Sequence, residues 1–208
     1  MNLRNAALLL IIGLVYNVLY KLVNALFPSL RENENILIVA SILWLVGAFT
    51  IILFVFYFLK GVAPLNKQIK ISLYFVVLFT CIIIVMKLPL ELSPFVGISQ
   101  KLIFNVSVFL NSLAMLVFFI SYYKIVPDKY SIKRPIKMAI WAFSVGLVLG
   151  IISIYYYVIF FITGKESEQI PFVKVLAMIV FIFTYYAVIE FLIKFRKTDN
   201  YAQINSGS

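Results

Sequence analysis

The chain has 208 residues, 64% hydrophobic and 12% charged, with 18 Lys and Arg against 8 Asp and Glu. Soluble domains are about 45–50% apolar and about 25% charged, which excludes a soluble core as the explanation of this composition. The net charge of +10 does not indicate nucleic acid either. The cations lie in short segments between apolar runs, where insertion topology and anionic headgroups account for them.

Six apolar runs fill nearly the whole chain, each long enough for a hydrocarbon core of about 30 Å. The expected spans are 6–27, 35–59, 68–86, 102–123, 136–163 and 170–195. In lipid every backbone amide must be satisfied without water, so these spans are expected to be helices. No stretch has the period-2 alternation of a membrane barrel. The expected fold class is all-α, a polytopic membrane bundle of six transmembrane helices. It forms a single domain over 1–199, followed by a short polar tail over 200–208. The first run is longer than the apolar part of a signal peptide and lacks a small-residue cleavage site, so it is expected to remain as span 1.

Turn chemistry separates the spans. Pro28-Ser29, Gly61 with Pro64, Pro89 with Pro94, Pro127-Asp128 and the segment 164–171 mark the connections. Pro135 and Pro171 are expected at helix starts, where proline is well tolerated. Lys and Arg divide unevenly between the two faces. One face carries Arg4, Lys60, Lys67, Lys70, Lys124, Lys129, Lys133, Arg134, Lys137, Lys194, Arg196 and Lys197; the other has Arg31, Lys87, Lys101 and Lys165 together with Glu32, Glu34, Glu91, Glu166 and Glu168. The positive-inside rule then predicts cytoplasmic termini. A plasma (inner) membrane location follows, and the Ile-, Phe-, Tyr-, Lys- and Asn-rich usage suits a bacterial genome. The 20 Phe and 13 Tyr read in the same way, as ancestry rather than mechanism.

Polar residues inside spans are the default functional candidates, because leaving them unpaired in lipid costs free energy. In span 1, Asn17, Lys21 and Asn24 recur at i, i+4 and i+7 and so share a helical face. In span 4, Asn105, Ser107, Asn111 and Ser112 lie at outer to middle depth, and Lys174 opens span 6 on the outer side. Together Asn17, Lys21, Asn24, Asn105, Asn111 and Lys174 are expected to line an outer-half cavity for a small anionic or polar ligand. For each residue a plainer reading stands beside this one: Lys21 as a snorkelling interface anchor, the asparagines as interhelical glue, and Lys174 as a rim charge.

Glu190 is the one carboxylate well inside a span and precedes Lys194 by four residues, the favourable order for a helical ion pair. As an ion or proton site it would need a partner, for which Tyr186 is the first candidate. In span 5, Ala142, Gly146 and Gly150 form a small-residue ridge for close helix packing, with another span, a partner protein or a second copy. Trp44 and Trp141 read as packing or interfacial residues.

Absences narrow the chemistry. The chain has no His and one Cys, Cys81, so metal sites of the usual kind and histidine catalysis are not expected. No carboxylate pair lies in a span, no glycine loop cradles phosphate, and no cofactor is expected. The polar residues of spans 1 and 4 sit at unmatched positions, which argues against an inverted three-plus-three repeat. The broad shape is similar to that of the substrate-binding subunits of energy-coupling factor transporters. Those carry an Ala-xxx-Ala surface on the first helix, whereas here Ala6 and Ala7 are followed by Leu10 and Ile11; no family is assigned.

Two functions remain: a non-enzymatic binding or transport component with an outer polar cavity, or an assembly, sensor or immunity-type subunit. The second would act through the span-5 ridge and the basic 124–137 loop.

Overall fold

The structure is a computed structural model that describes residues 2–26, 34–62, 65–92, 98–127, 130–163 and 171–197. Among the described residues it is all-helical: α1 Leu3–Leu26, α2 Glu34–Gly61, α3 Lys67–Leu92, α4 Ile98–Ile125, α5 Lys133–Thr163 and α6 Pro171–Lys197. All six are long and apolar enough to cross a membrane. The 200–208 tail and Pro94 lie outside the described residues.

The helices extend a few residues past most of the expected spans. The largest difference is α3, which runs through Pro89 to Leu92 where a turn was expected. Proline removes one backbone donor, but Pro89 stands one turn from the helix end, so little regular structure follows the break. Pro135 falls in the first turn of α5 and Pro171 opens α6. No helical donor is missed at either place.

Each helix exposes one apolar stripe at spacings of three and four. On α1 it is Ile12, Val15, Leu19 and Val23, and on α5 Trp141, Val145, Val148, Ile151 and Tyr155. On α6 it is Val175, Ile179, Phe183 and Tyr186. Soluble monomers rarely show contiguous apolar patches above a few hundred Å². Stripes on all six helices are compatible with an integral membrane protein whose perimeter meets lipid.

Each helix packs against its sequence neighbours, and α6 returns to α1, closing a circle. One core cluster joins the first turns of α1, α3 and α5 to the last turns of α2, α4 and α6. Neighbouring helices therefore run in opposite directions, and Leu3 and Phe195 lie at the same end of the bundle. This end is called the terminal end below, and the opposite one the far end.

The core divides its labour between odd and even helices. α1, α3 and α5 contribute aliphatic residues such as Leu3, Ala7, Ile69, Leu73, Ile136 and Ala139. α2, α4 and α6 contribute aromatic rings that meet across the axis. Phe58 lies 5.4 Å from Phe195 and 5.5 Å from Phe118, while Phe191 lies 5.3 Å from Phe119 and 5.9 Å from Tyr122. Edge-to-face and offset pairs of this kind gain beyond their buried area. These rings plug the terminal end.

Candidate functional site

The inward face of each helix is opposite its lipid stripe, and its burial fades along the helix. On α1 the row Leu10, Leu14 and Asn17 is buried, but Lys21, next in the same row, is exposed. On α6 Phe195, Phe191 and Val188 are buried, Thr184 and Phe181 half-buried, and Ala177 exposed. On α4 Tyr122 and Phe118 are buried, Asn111 and Phe104 half-buried, and Gln100 exposed. Among the described residues these rows are buried at the terminal end and carry accessible surface toward the far end, an arrangement called the cup below.

Its floor is the aromatic plug, whose rings lie within about 10 Å of their helix ends by helical rise. Above the floor comes a polar layer. Asn17 is 14 residues from Leu3, Thr80 is 13 from Lys67 and Asn111 is 14 from Ile125. All three thus stand about 20 Å from the terminal end. Asn17 and Thr80 are 8% and 3% exposed. Asn17 Oδ1, Thr80 Oγ1 and Asn111 Oδ1 are buried without a hydrogen-bond partner among the described residues. Three unanswered polar oxygens at one depth of a bundle are unusual, because buried polar atoms are ordinarily paired.

Toward the far end two described lysines rest on aromatic rings. Lys21 Nζ stands 3.6 Å from the centroid of the Phe181 ring of α6. Lys87 Nζ stands 3.7 Å from the Trp44 ring of α2. Lys87 ends the inward row of α3, which runs Ile69, Leu73, Val76, Thr80, Ile84, Lys87 at spacings of three and four.

The sequence-predicted residues fare differently. Asn17, Lys21 and Asn111 are brought to the inward face. Asn24 and Lys174 lie in α1 and α6, but their side chains are outside the described residues. Asn105 is turned to its own helix, donating from Nδ2 to the Lys101 carbonyl at 2.7 Å. Ser107 and Ser112 likewise donate to the carbonyls of Ile103 and Val108. These back-bonds occupy one donor of each group within its own helix.

Glu190 Oε1 pairs with Lys194 at 2.7 Å, and its Oε2 is buried without a hydrogen-bond partner. Tyr186 does not reach it, being 55% exposed on the lipid stripe. Of the span-5 ridge, Ala142 is buried and a Cβ on Gly150 would lie 3.0 Å from Phe109 Cδ2 of α4. A Cβ on Gly146 would meet Val180 Cγ1 of α6 at 3.8 Å. The ridge is therefore occupied within the chain.

A close approach of two helix backbones lies at Gly13 and Gly47, where a Cβ on Gly13 would stand 3.2 Å from Gly47 Cα. Sequence reasoning passed over this crossing, and also Thr80, Lys87 and the cup-facing role of Trp44. The inward row of α3, written out at helical spacing, was the available signal for Thr80 and Lys87. No cluster of potential metal ligands occurs among the described residues. Comparison with protein-family models, curated proteins and solved structures returns no match, so function is argued from this geometry alone.

Proposed function

We propose that the chain is a non-enzymatic binding or transport component of a membrane, taking a small polar or anionic solute, or a lipid headgroup, into the far half of its bundle. The observation that carries this is the layer of buried, unanswered oxygens on Asn17, Thr80 and Asn111 at one depth of the bundle. An unsatisfied buried polar group costs about 1–3 kcal/mol. A ligand or water entering the cup with N–H or O–H donors removes that cost.

The orientation belongs to the same reading. The terminal end holds the cation-rich segments, so positive-inside insertion places both termini in the cytoplasm and opens the cup outward. The protein is then a multi-pass plasma-membrane protein, with a composition that suits a bacterial source. The competing reading, a subunit that docks a partner or second copy on the span-5 ridge, is less well supported because Gly150 already receives Phe109.

The test is an experimental structure in lipid nanodiscs at a resolution that reveals non-protein density. Density above the Phe58–Phe118 floor, touching Asn17, Lys21 and Asn111, is the expected result. A dry, collapsed far half with these amides paired to one another would refute the proposal.

A further inference from the structure

We infer that the terminal end of the bundle is a binding belt for anionic phospholipids. Their chains lie along the lipid-facing stripes, and their phosphates meet the cations in which those stripes end. The cup plays no part in this, so the belt goes beyond the binding reading above and stands or falls separately from it.

The residue rows carry the inference. On α2 the exposed residues Phe49, Leu53 and Phe56 lead at helical spacing to Lys60, also exposed. On α4 Val117 and Ile120 lead in the same way to Lys124. The odd helices run in the other direction and begin with their cations. Lys67 precedes Ile71 and Tyr74 on α3, and Arg134 and Lys137 precede Trp141 on α5. α6 ends in Lys197 after Ile193, although Glu190, paired with Lys194, interrupts its row. Each of the row-end cations Lys60, Lys67, Lys124, Arg134, Lys137 and Lys197 is exposed and stands within about one turn of a helix end.

Residues three and four apart share a helical face, so each cation continues the surface that meets lipid rather than the face that meets the axis. Insertion topology asks only for cations in the segments on one side of the membrane. It does not ask that they continue the lipid-facing rows. Lys60 adds direct geometry: its Nζ stands 4.2 Å from the centroid of the Phe56 ring, itself a stripe residue. The ammonium is thus held at the lipid-side edge.

Glu190 is the one carboxylate at this end among the described residues, and it is paired. A phospholipid with its hydrocarbon on a stripe brings its phosphate to the end of that stripe, where a basic residue gains from an anionic headgroup. A soluble acidic partner would approach the helix ends along the axis, whereas these rows present their cations sideways, toward lipid. At the far end the α5 and α6 stripes stop at Ile162 and Phe172, both exposed and apolar.

Trp141 follows Lys137 by one turn and reports on the lipid beside it. The full chain carrying Trp44→Phe is reconstituted in phosphatidylcholine vesicles with a fixed fraction of brominated phosphatidylglycerol or brominated phosphatidylcholine, whose bromines quench tryptophan. The expected result is stronger quenching by the phosphatidylglycerol, with a preference of about fivefold for each cation engaged. Arg134→Gln with Lys137→Gln abolishes the preference, Arg134→Lys with Lys137→Arg keeps it, and Lys60→Gln on another helix leaves it unchanged.

Equal quenching by the two lipids overturns the belt. If phosphatidylcholine vesicles then capture poly-L-glutamate, the cations belong to an acidic partner instead. A preference that survives the paired Gln substitutions, or that Lys60→Gln lowers as much as they do, also overturns it, because general surface charge then suffices.

Discussion

Gly13 and Gly146 look alike in sequence, each a small residue inside an apolar helix, but the structure predicts opposite responses to one added methyl group. At Gly13 the new carbon would stand 2.9 Å from Thr50 Oγ1 and 3.2 Å from the Gly47 Cα. Thr50 is not free to yield, since Oγ1 donates to the Gly47 carbonyl at 2.6 Å. Gly47 is backbone, and yields only if α1 and α2 part. Overpacking costs about 1–3 kcal/mol, and losing the Thr50 bond would add about 0.5–1.5 kcal/mol. The helix-propensity gain of alanine over glycine returns about 1 kcal/mol at most. Gly13→Ala should therefore lose about 1–3 kcal/mol net by these terms.

At Gly146 the methyl meets only Val180 Cγ1, at 3.8 Å, an ordinary contact. Gly146→Ala should be neutral, or stabilised by up to about 1 kcal/mol. Both variants are compared with the parent by equilibrium unfolding in bicelles with rising dodecyl sulfate. A Gly13→Ala protein as stable as the parent, or a Gly146→Ala protein less stable than Gly13→Ala, would refute the close crossing at Gly13 and Gly47.

Phe58 is fully buried and touches rings from α2, α4 and α6. Phe58→Ala should cost about 3–5 kcal/mol in the same unfolding experiment; a loss below about 1 kcal/mol would mean the plug is not the core. Thr80→Val removes an oxygen that has no partner at nearly constant volume. It should leave the ligand-free protein unchanged or up to about 1–2 kcal/mol more stable, and a clear loss would reveal a bound water or ligand on the hydroxyl. For orientation, single cysteines replacing Asn2 and Lys67 in a Cys81→Ser background should react with an impermeant reagent only after cells are opened. Reaction on intact cells would invert the bundle.

The helices were legible because membrane insertion is decided by composition over about twenty residues, a scale on which a sequence is unambiguous. Their ends were less so: Pro89 read as a stop, whereas α3 carries it in its last turn. Asn17, Lys21 and Asn111 were picked out as candidates because polar side chains in an apolar run stand out individually. Asn105 stood out equally and serves its own backbone, a choice made by rotamer and neighbours that residue type does not encode. The small-residue spacing of span 5 drew the eye, but a close backbone approach formed between two isolated glycines on different helices. Such a pair has no period within either sequence.

More could have been read from direction than from identity. Once neighbouring spans are taken to alternate, residues near the ends of spans 2, 4 and 6 share a level with those near the starts of spans 1, 3 and 5. Phe58, Phe118, Tyr122, Phe191 and Phe195 then fall in one layer and the aliphatic residues of the odd spans in the same one, as the core cluster has them. The same levelling puts Asn17, Thr80 and Asn111 at a common height, and Lys21 and Lys87 above them. Function in such a bundle is a property of levels: apolar volume closes one end, leaving polar oxygens and cations at the end where packing gives out. A buried oxygen without a hydrogen-bond partner gains from one, and the layer of Asn17, Thr80 and Asn111 holds three of them at one depth above the ring plug.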